Sequence, residues 1–500
     1  MFMEIYYSLS ELILGYSDVL LGFIQSYSII FFINVIFTIA IIFMERKKPT
    51  STLLWVMAIN FLPIIGFILY LFIGQDLSKK RIFDKKDSLK IKMRKNAQSQ
   101  LNEIKSGKFK FKNERTREYV EMIEMFNVSE DETFYQGNDI EMYSDGREMF
   151  KKLFEDIEAA EKSVYFESYI FKSDGLGTEL MNLLKKKSRE GVEVLLLVDG
   201  MGARNLKQKD RRDLVENGVK LAIFFPGLFG KFNTHINYRN HRKIIVIDHK
   251  IGYVGGLNVG DEYISKDKKF GFWRDDHIRI IGPAVMGLQF RFFLDYNFAA
   301  DKKEGAFITP VFEKSEYGNK DICIVTSGPD TKVDSIRNGY EKIISRARKK
   351  IYIQTPYFVP DEGLFNALKV AALSGCEVNI MIPEIRDHPF VHWASTSFIG
   401  ELLDWGCRAY YYQGGFLHSK VICCDDYLSS IGTANFDIRS FELNFEANAF
   451  IFDEEVTSTL IKNFENDVKN SKEITLADYE RRSVFVKIKE GVSRLLSPIL

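Results

Sequence analysis

Hydrophobic positions fall into two regimes along the chain. Residues 22–44 (GFIQSYSIIFFINVIFTIAIIFM) and 52–74 (TLLWVMAINFLPIIGFILYLFIG) are apolar runs without a charged residue. About 20 apolar residues carry a helix across the hydrocarbon core, so both runs predict transmembrane helices, joined by the short link ERKKPTS at 45–51. The first 20 residues hold no Lys or Arg and no small-residue cleavage site follows the first run, which argues against a cleaved signal peptide. Residues 79–117 then carry fifteen Lys/Arg against four Asp/Glu. This reads as a basic juxtamembrane linker over 76–133, where each cation gains about 1 kcal/mol near an anionic surface. Basic residues flank the second run on both sides, so the positive-inside rule conflicts with itself and leaves the orientation open.

From residue 134 the pattern changes to short β-branched and aromatic runs alternating with amphipathic stretches, and it occurs twice. EKSVYFESYIF (161–171) matches RKKIYIQTPYF (348–358). A helix-like stretch and a second apolar run follow in each case, GVEVLLLVDG (191–200) and GCEVNIMIPE (375–384). A third pair is DLVENGVKLAIFF (213–225) and ELLDWGCRAYYY (401–412). Strands alternating with helices predict layered α/β domains. Residues 134–310 and 311–500 therefore read as two copies of one domain.

After its third strand each copy carries the same pattern. NHRKIIVIDHKIGYVGGLN (240–258) and LHSKVICCDDYLSSIGTAN (417–435) both follow H-x-K-x4-D-x6-G-x2-N. The fixed positions are His241, Lys243, Asp248, Gly255 and Asn258, then His418, Lys420, Asp425, Gly432 and Asn435. On a strand, residues two apart share a face, so each His points the same way as its Lys. Two-residue turns at His249–Lys250 and Asp426–Tyr427 would set Asn258 opposite His241 and Asn435 opposite His418. They would also place Asp248 and Asp425 at hairpin turns, where aspartate bonds nearby backbone N–H groups. Those two residues thus read as structural members of a motif whose histidines and lysines carry the chemistry.

Lysine and asparagine donors suit non-bridging phosphate oxygens, here Lys243, Asn258, Lys420 and Asn435. A neutral imidazole is a nucleophile and a protonated one an acid. Two such faces make a site for phosphoryl transfer without a metal, one His attacking phosphorus and the other protonating the leaving oxygen. Each imidazole needs a partner on its other nitrogen, and Asp275 in FWRDDHIRI and Glu446 in LNFEANAF are the candidates, with the adjacent Asp276 competing for the first role. His235, His249, His277, His388 and His392 lack this context. A zinc site at His418, Cys423, Cys424 and Asp425 is excluded because adjacent strand residues face opposite ways and the first copy has Val246 and Ile247 there.

Charge and cysteines narrow the class further. The 68 basic and 68 acidic residues balance, so nothing marks the chain as a nucleic-acid binder, which would carry a basic stripe. The five cysteines are scattered without a C-x-x-C, which excludes a disulfide framework.

These residues resemble the phospholipase D superfamily, and among its members bacterial cardiolipin synthases. FGFWRDDHIRIIGPAV (270–285), GGFLHSK (414–420), NFDIRSFELNFEANAF (435–450), the N-terminal runs and the RLLSPIL ending (494–500) carry the likeness. The resemblance implies two tandem phospholipase D-like α/β domains, related by a pseudo-twofold with mixed sheets flanked by helices, preceded by two transmembrane helices. It implies a multi-pass protein of the bacterial cell membrane, its catalytic part toward the cytoplasm. Phosphatidylglycerol and cardiolipin would be its lipid partners, with no cofactor. It also implies transfer through a phosphatidyl-histidine, with His241 as nucleophile and His418 as acid, then base. Many superfamily members have Ser after the motif glycine, where this chain has Gly256 and Thr433, and glycine brings no hydroxyl. A hydrolase using water as acceptor and a phosphatidylserine synthase-like transferase would use the same residues. A non-catalytic scaffold is disfavoured by two complete motifs. PGLFGKF (226–232) reads as an interfacial or a covered loop, and FVKIKEGVSRLLSPIL (485–500) as a helix on the membrane or docked on the second domain.

Overall fold

The computed structural model describes residues 31–43, 49–62, 64–70, 88–129, 132–226, 238–300, 317–331 and 333–499. They fall into a small N-terminal unit, before residue 85, and a large unit holding the rest.

In the small unit residues 31–43 are helical, followed by helices Pro49–Phe61 and Ile65–Leu69. Ile59, Trp55, Ile41 and Tyr70 form its core, and Phe37 stacks on Phe67 at 3.8 Å. Among the described residues no helix is long and apolar enough to cross a membrane. The run 52–74 is interrupted: one helix ends at Phe61, and Ile64 takes a positive φ of 65° before the next begins. β-Branched residues rarely adopt that conformation, and the sequence has a proline at 63, which cannot continue a helical hydrogen-bond ladder. Residues 22–30, 44, 63 and 71–74 of the two expected spans lie outside the described residues, as does all but the first residue of the 226–232 loop.

The large unit is built on nineteen strands among the described residues. The first eight are β1 (Phe134–Asp145), β2 (Ser163–Ser168), β3 (Glu193–Asp199), β4 (Lys220–Phe224), β5 (Arg239–Asn240), β6 (Ile244–Ile247), β7 (Ile251–Gly255) and β8 (Phe272–Ile281). The second series comprises β9 (Lys320–Ser327), β10 (Lys350–Gln354), β11 (Phe358–Val359), β12 (Glu377–Pro383), β13 (Arg408–Tyr412), β14 (Gly415–Leu417), β15 (Val421–Cys424), β16 (Leu428–Gly432), β17 (Phe436–Asp437), β18 (Asn444–Phe452) and β19 (Ser471–Glu473). Two mixed sheets result, with the same order. The first runs β4–β3–β2–β6–β7–β8–β1, parallel through β2 and antiparallel beyond. The second runs β13–β12–β10–β15–β16–β18–β9 with the same senses. β1 pairs with β8 through its second half and with β9 through its first, so the sheets are joined.

The continuous apolar strands follow from burial on both faces. In β2, Val164 and Phe166 enter a core with Leu153, Leu180 and Leu196, while Tyr165 on the other face stacks on Phe292 of helix Val285–Ala299. β10 repeats this: Ile351 and Ile353 enter the second core, and Tyr352 meets Phe464 of helix Glu454–Val468. Residues 88–129 are not a bare connector. Helix Val120–Ser129 buries Met122, Ile123 and Phe126 in the second core. With two tandem domains of mixed α/β architecture, the ends of β5 and β14 reach the same place from opposite sides.

Candidate active site

Each histidine motif is delivered across the domain boundary. β5 lies parallel on β18, and His241 continues that pairing by donating its backbone N–H to Phe445 at 3.0 Å. β14 lies parallel on β8, and His418 donates to the Arg274 carbonyl at 2.7 Å. The histidine of each repeat is therefore held by the strand that follows the motif in the other repeat.

The hairpins differ from the two-residue expectation. Ile247 pairs with Ile251, and Cys424 with Leu428, which leaves three-residue loops. Asp248, His249 and Asp425 have φ of 52°, 62° and 51°, the left-handed turn conformation that Asp tolerates. The register shifts by one, so Asn258 and Asn435 do not stand across a ladder from the histidines. His241, Lys243, His418 and Lys420 precede β6 and β15 and do not lie within them. The physical reason is a long-range tie. Asp248 accepts backbone N–H groups from Glu161, Lys162 and Ser163 at the start of β2, and Asp425 from Arg348, Lys349 and Lys350 at the start of β10. Each aspartate clamps its turn to the neighbouring strand, which fits a structural and not a chemical task.

Around the histidines charge is concentrated and buried. His241 Nδ1 lies 3.0 Å from both oxygens of Glu446, and His418 Nδ1 lies 2.7 Å from Asp275 Oδ2. Both carboxylates are fully buried. With Nδ1 engaged, Nε2 remains the reactive nitrogen of each ring. Burial pushes the His241 pKa below its usual value, with Glu446 opposing and Lys243 reinforcing. Burial and then Lys420 push His418 well below. Burial alone would raise Glu446, but His241 and Lys243 outweigh it and hold the carboxyl below the usual range. Asp275 is raised by burial, partly countered by Lys420.

The lysines complete one site. Lys243 Nζ donates to the His241 carbonyl at 2.6 Å, and Lys420 Nζ lies 2.9 Å from His418 Nδ1. Burial lowers Lys243 to about 7 and Lys420 to about 8. Lys420 acts on His241, and both Lys243 and His241 act on His418, so the two motifs share one electrostatic environment. Asn258 is occupied by the protein: its Oδ1 accepts from Ile170 at 3.0 Å and its Nδ2 donates to Tyr263 at 3.1 Å. Asn435 is buried with its Oδ1 unpartnered. Asp276 pairs with Arg274 at 2.9 Å instead of a histidine. His277 is buried on β8, its pKa held at about 3 by burial. Cys423 and Cys424 are buried fillers of β15, and no metal-ligand cluster exists among the described residues.

Other residues entered the site unannounced. The Tyr169 ring meets His241 edge-on at 5.0 Å, and Tyr357 of the second repeat donates its hydroxyl to Asp387. The two do not align in the repeat, where Tyr169 falls on Pro356 and Tyr357 on Ile170, so the repeat held no signal for them. The Thr433 hydroxyl donates to Glu446, while a Cβ on Gly256 would stand 2.0 Å from Asp275 Oδ1. The carboxylate fills in one half what a side chain occupies in the other. Arg242, wholly buried, donates to the Glu446 carbonyl at 3.0 Å and pairs with Asp295 at 2.8 Å.

Comparison with known proteins agrees with this geometry. The family described as "Cardiolipin synthase, PLD-like domain" matches residues 153–277 and again 340–468, and "Phospholipase D-nuclease N-terminal" matches residues 32–75. The cardiolipin synthase of Oceanobacillus iheyensis is 45% identical over 489 residues, covering 97% of this chain and 100% of that one. The major cardiolipin synthase ClsA of Bacillus subtilis is 44% identical over 474 residues, 95% and 98% of the two chains. A crystal structure of phosphatidylserine synthase from Haemophilus influenzae shares the fold at a TM-score of 0.56 and 13% identity, covering 78% of this chain and 100% of that one. By its doubled domain and full-length relatives, the chain belongs to the cardiolipin synthase family of paired PLD-like domains.

Proposed function

We propose that the protein is a membrane phosphatidyltransferase that joins two phosphatidylglycerol molecules into cardiolipin and releases glycerol. The observation that carries this reading is the pairing of two buried, carboxylate-braced imidazoles with two lysines of lowered pKa in one site. Two lysine ammoniums beside two imidazoles suit the anionic oxygens of a phosphodiester. The names borne by its full-length relatives support cardiolipin as the product.

In this reading Lys243, Lys420 and Asn435 hold the non-bridging oxygens of the first lipid, and Asn258 positions Ile170 and Tyr263 behind them. His241 Nε2, left unprotonated by burial while the Nδ1 bond to Glu446 fixes the tautomer, attacks phosphorus. The bond to the glycerol oxygen breaks, and His418 gives that oxygen its proton. The bound anion favours the protonated form of His418 that this step requires. The glycerol hydroxyl of a second lipid then loses its proton to His418 and attacks the phosphatidyl-His241, which leaves as neutral imidazole. Atoms balance over both halves, and no water enters. The apolar runs 22–44 and 52–74 anchor the chain in the cell membrane, where both substrates reside. The test is adduct trapping with labelled phosphatidylglycerol: the His418→Ala variant accumulates label on His241. Label on His418 in a His241→Ala variant, with none on His241 in the reverse, would invert the roles; no adduct in either would remove the covalent mechanism.

A further inference from the structure

The C-terminal helix Val484–Leu495 is docked with its apolar side outward. Glu490 and Ser493 are buried, with Glu490 paired to Arg482 at 2.9 Å and Arg494 to Glu401 at 2.6 Å. Val484, Phe485, Ile488, Val492 and Leu495 face away from the protein, Phe485 being 78% and Leu495 66% exposed. At 3.6 residues per turn these five fall within an arc of about 100°. Lys487 and Lys489 stand at its two borders, both exposed. The helix thus presents an apolar stripe edged by cations, while its one acidic residue is turned inward and neutralised.

We propose that this face is an interfacial anchor that seats the catalytic unit on an anionic lipid surface. Charge favours that occupant, since apolar residues bordered by lysines match a bilayer of anionic headgroups. A second copy is disfavoured, because a twofold contact through the stripe would set Lys487 and Lys489 against their own equivalents. The surface is also continuous with the site. The helix packs along helix Pro389–Leu403, with Lys489 over Trp393 at 5.1 Å and Arg494 over Phe398 at 4.5 Å. Phe390, half exposed in the first turn of that helix, stacks edge-on with Trp393. Three residues earlier, Asp387 bonds Tyr357 and acts on the charge of His418. The stripe is therefore carried on the second-repeat side, by the helix packed on the one that leads from Asp387. The inference rests on the lipid-substrate reading but addresses approach, not chemistry.

The experiment uses the full chain reconstituted into vesicles of phosphatidylcholine alone or with phosphatidylglycerol, with a fluorophore on Ile488→Cys. The five native cysteines are buried, so the new thiol labels selectively. Nitroxide-bearing lipid quenches the probe in the phosphatidylglycerol vesicles, and aqueous iodide does not. Adding Lys487→Gln and Lys489→Gln weakens insertion roughly thirtyfold, about fivefold for each cation lost at the surface. A Phe485→Ser, Ile488→Ser, Val492→Ser variant slows turnover of vesicle lipid but keeps wild-type turnover of a short-chain phosphatidylglycerol dissolved as monomers. A probe that stays open to iodide in anionic vesicles overturns the proposal, as does one shielded without vesicles in proportion to protein concentration. Absence of turnover in the wild type would instead strike the enzymatic reading, since quenching does not depend on it.

Discussion

The two halves of the site share a backbone plan but are braced with different residues. In the first, the residue after the histidine is Arg242, whose guanidinium lies 5.2 Å from the Phe445 ring and pairs with Asp295. In the second, that position is Ser419, and the guanidinium comes from Arg274, which takes the place of Phe445 in the other repeat. Arg274 pairs with Asp467 and donates to Ser419. The behaviour of the position after the motif glycine is also exchanged: Thr433 touches the longer Glu446, and Gly256 makes room for the shorter Asp275. Each half keeps one buried arginine and one carboxylate on its imidazole while moving the supporting atoms between chain segments. Duplication preserved a geometry and let its residues drift in compensating pairs.

Changes at the braces test whether the halves are equal partners. Glu446→Gln and Asp275→Asn each lower the cardiolipin-forming rate roughly 10²–10⁴-fold, because a neutral amide no longer fixes the tautomer or supports the imidazolium. A large loss from one and none from the other would mean that one histidine works unbraced. The Gly256→Ala methyl must displace Asp275, and a misplaced group costs about 100-fold in rate. Thr433→Ala removes the bond its hydroxyl donates to Glu446 and the one it accepts from the Ala447 N–H, worth about tenfold. Equal effects in the same assay, with folding checked by thermal melting, would deny the exchange of bulk described above.

Acid–base behaviour separates the two lysines. The protonated ammoniums bind the anion, and burial has lowered both pKa values, so binding is lost as pH rises through about 7 for Lys243 and about 8 for Lys420. Competitive inhibition by vanadate weakens about tenfold per pH unit once the first lysine discharges. Lys243→Arg, always charged, removes the lower step and leaves the upper one. The smallest effect on rate belongs to the clamps. Asp248→Asn and Asp425→Asn each cost about 1–3 kcal/mol of stability through weakened bonds to backbone N–H groups. They lower Tm and leave turnover of the folded enzyme unchanged; a rate loss matching that of the histidine braces would assign these aspartates a chemical task.

The strands and the motif pair were legible because β-branched and aromatic runs, and a residue spacing that occurs twice, are local signals, whereas the order of the strands in each sheet was not. Asp275 and Glu446 could be named from their place before a strand-like run, but their crossed assignment, Asp275 on His418 and Glu446 on His241, could not. That crossing depends on β5 lying on β18 and β14 on β8, pairings between segments over a hundred residues apart. The turn register was missed for a related reason. Asp248 and Asp425 adopt left-handed conformations because strands elsewhere in each repeat offer three N–H groups, and no local rule announces that. Tyr169 and Tyr357 carried no such signal, since they do not align in the repeat and an aromatic in a strand is more often core. The apolar run 52–74 gave its hydrophobicity but not its break at Ile64.

The most direct test of a site assembled from both halves is the lipid product of the wild-type chain. Phosphatidylglycerol vesicles are incubated with the enzyme, and the lipid extract and aqueous phase are analysed by mass spectrometry. The account predicts cardiolipin and free glycerol in equal amounts, without phosphatidic acid, and neither product from His241→Ala or His418→Ala. Phosphatidic acid without cardiolipin would contradict it, because water would then be the acceptor at the phosphatidyl-histidine.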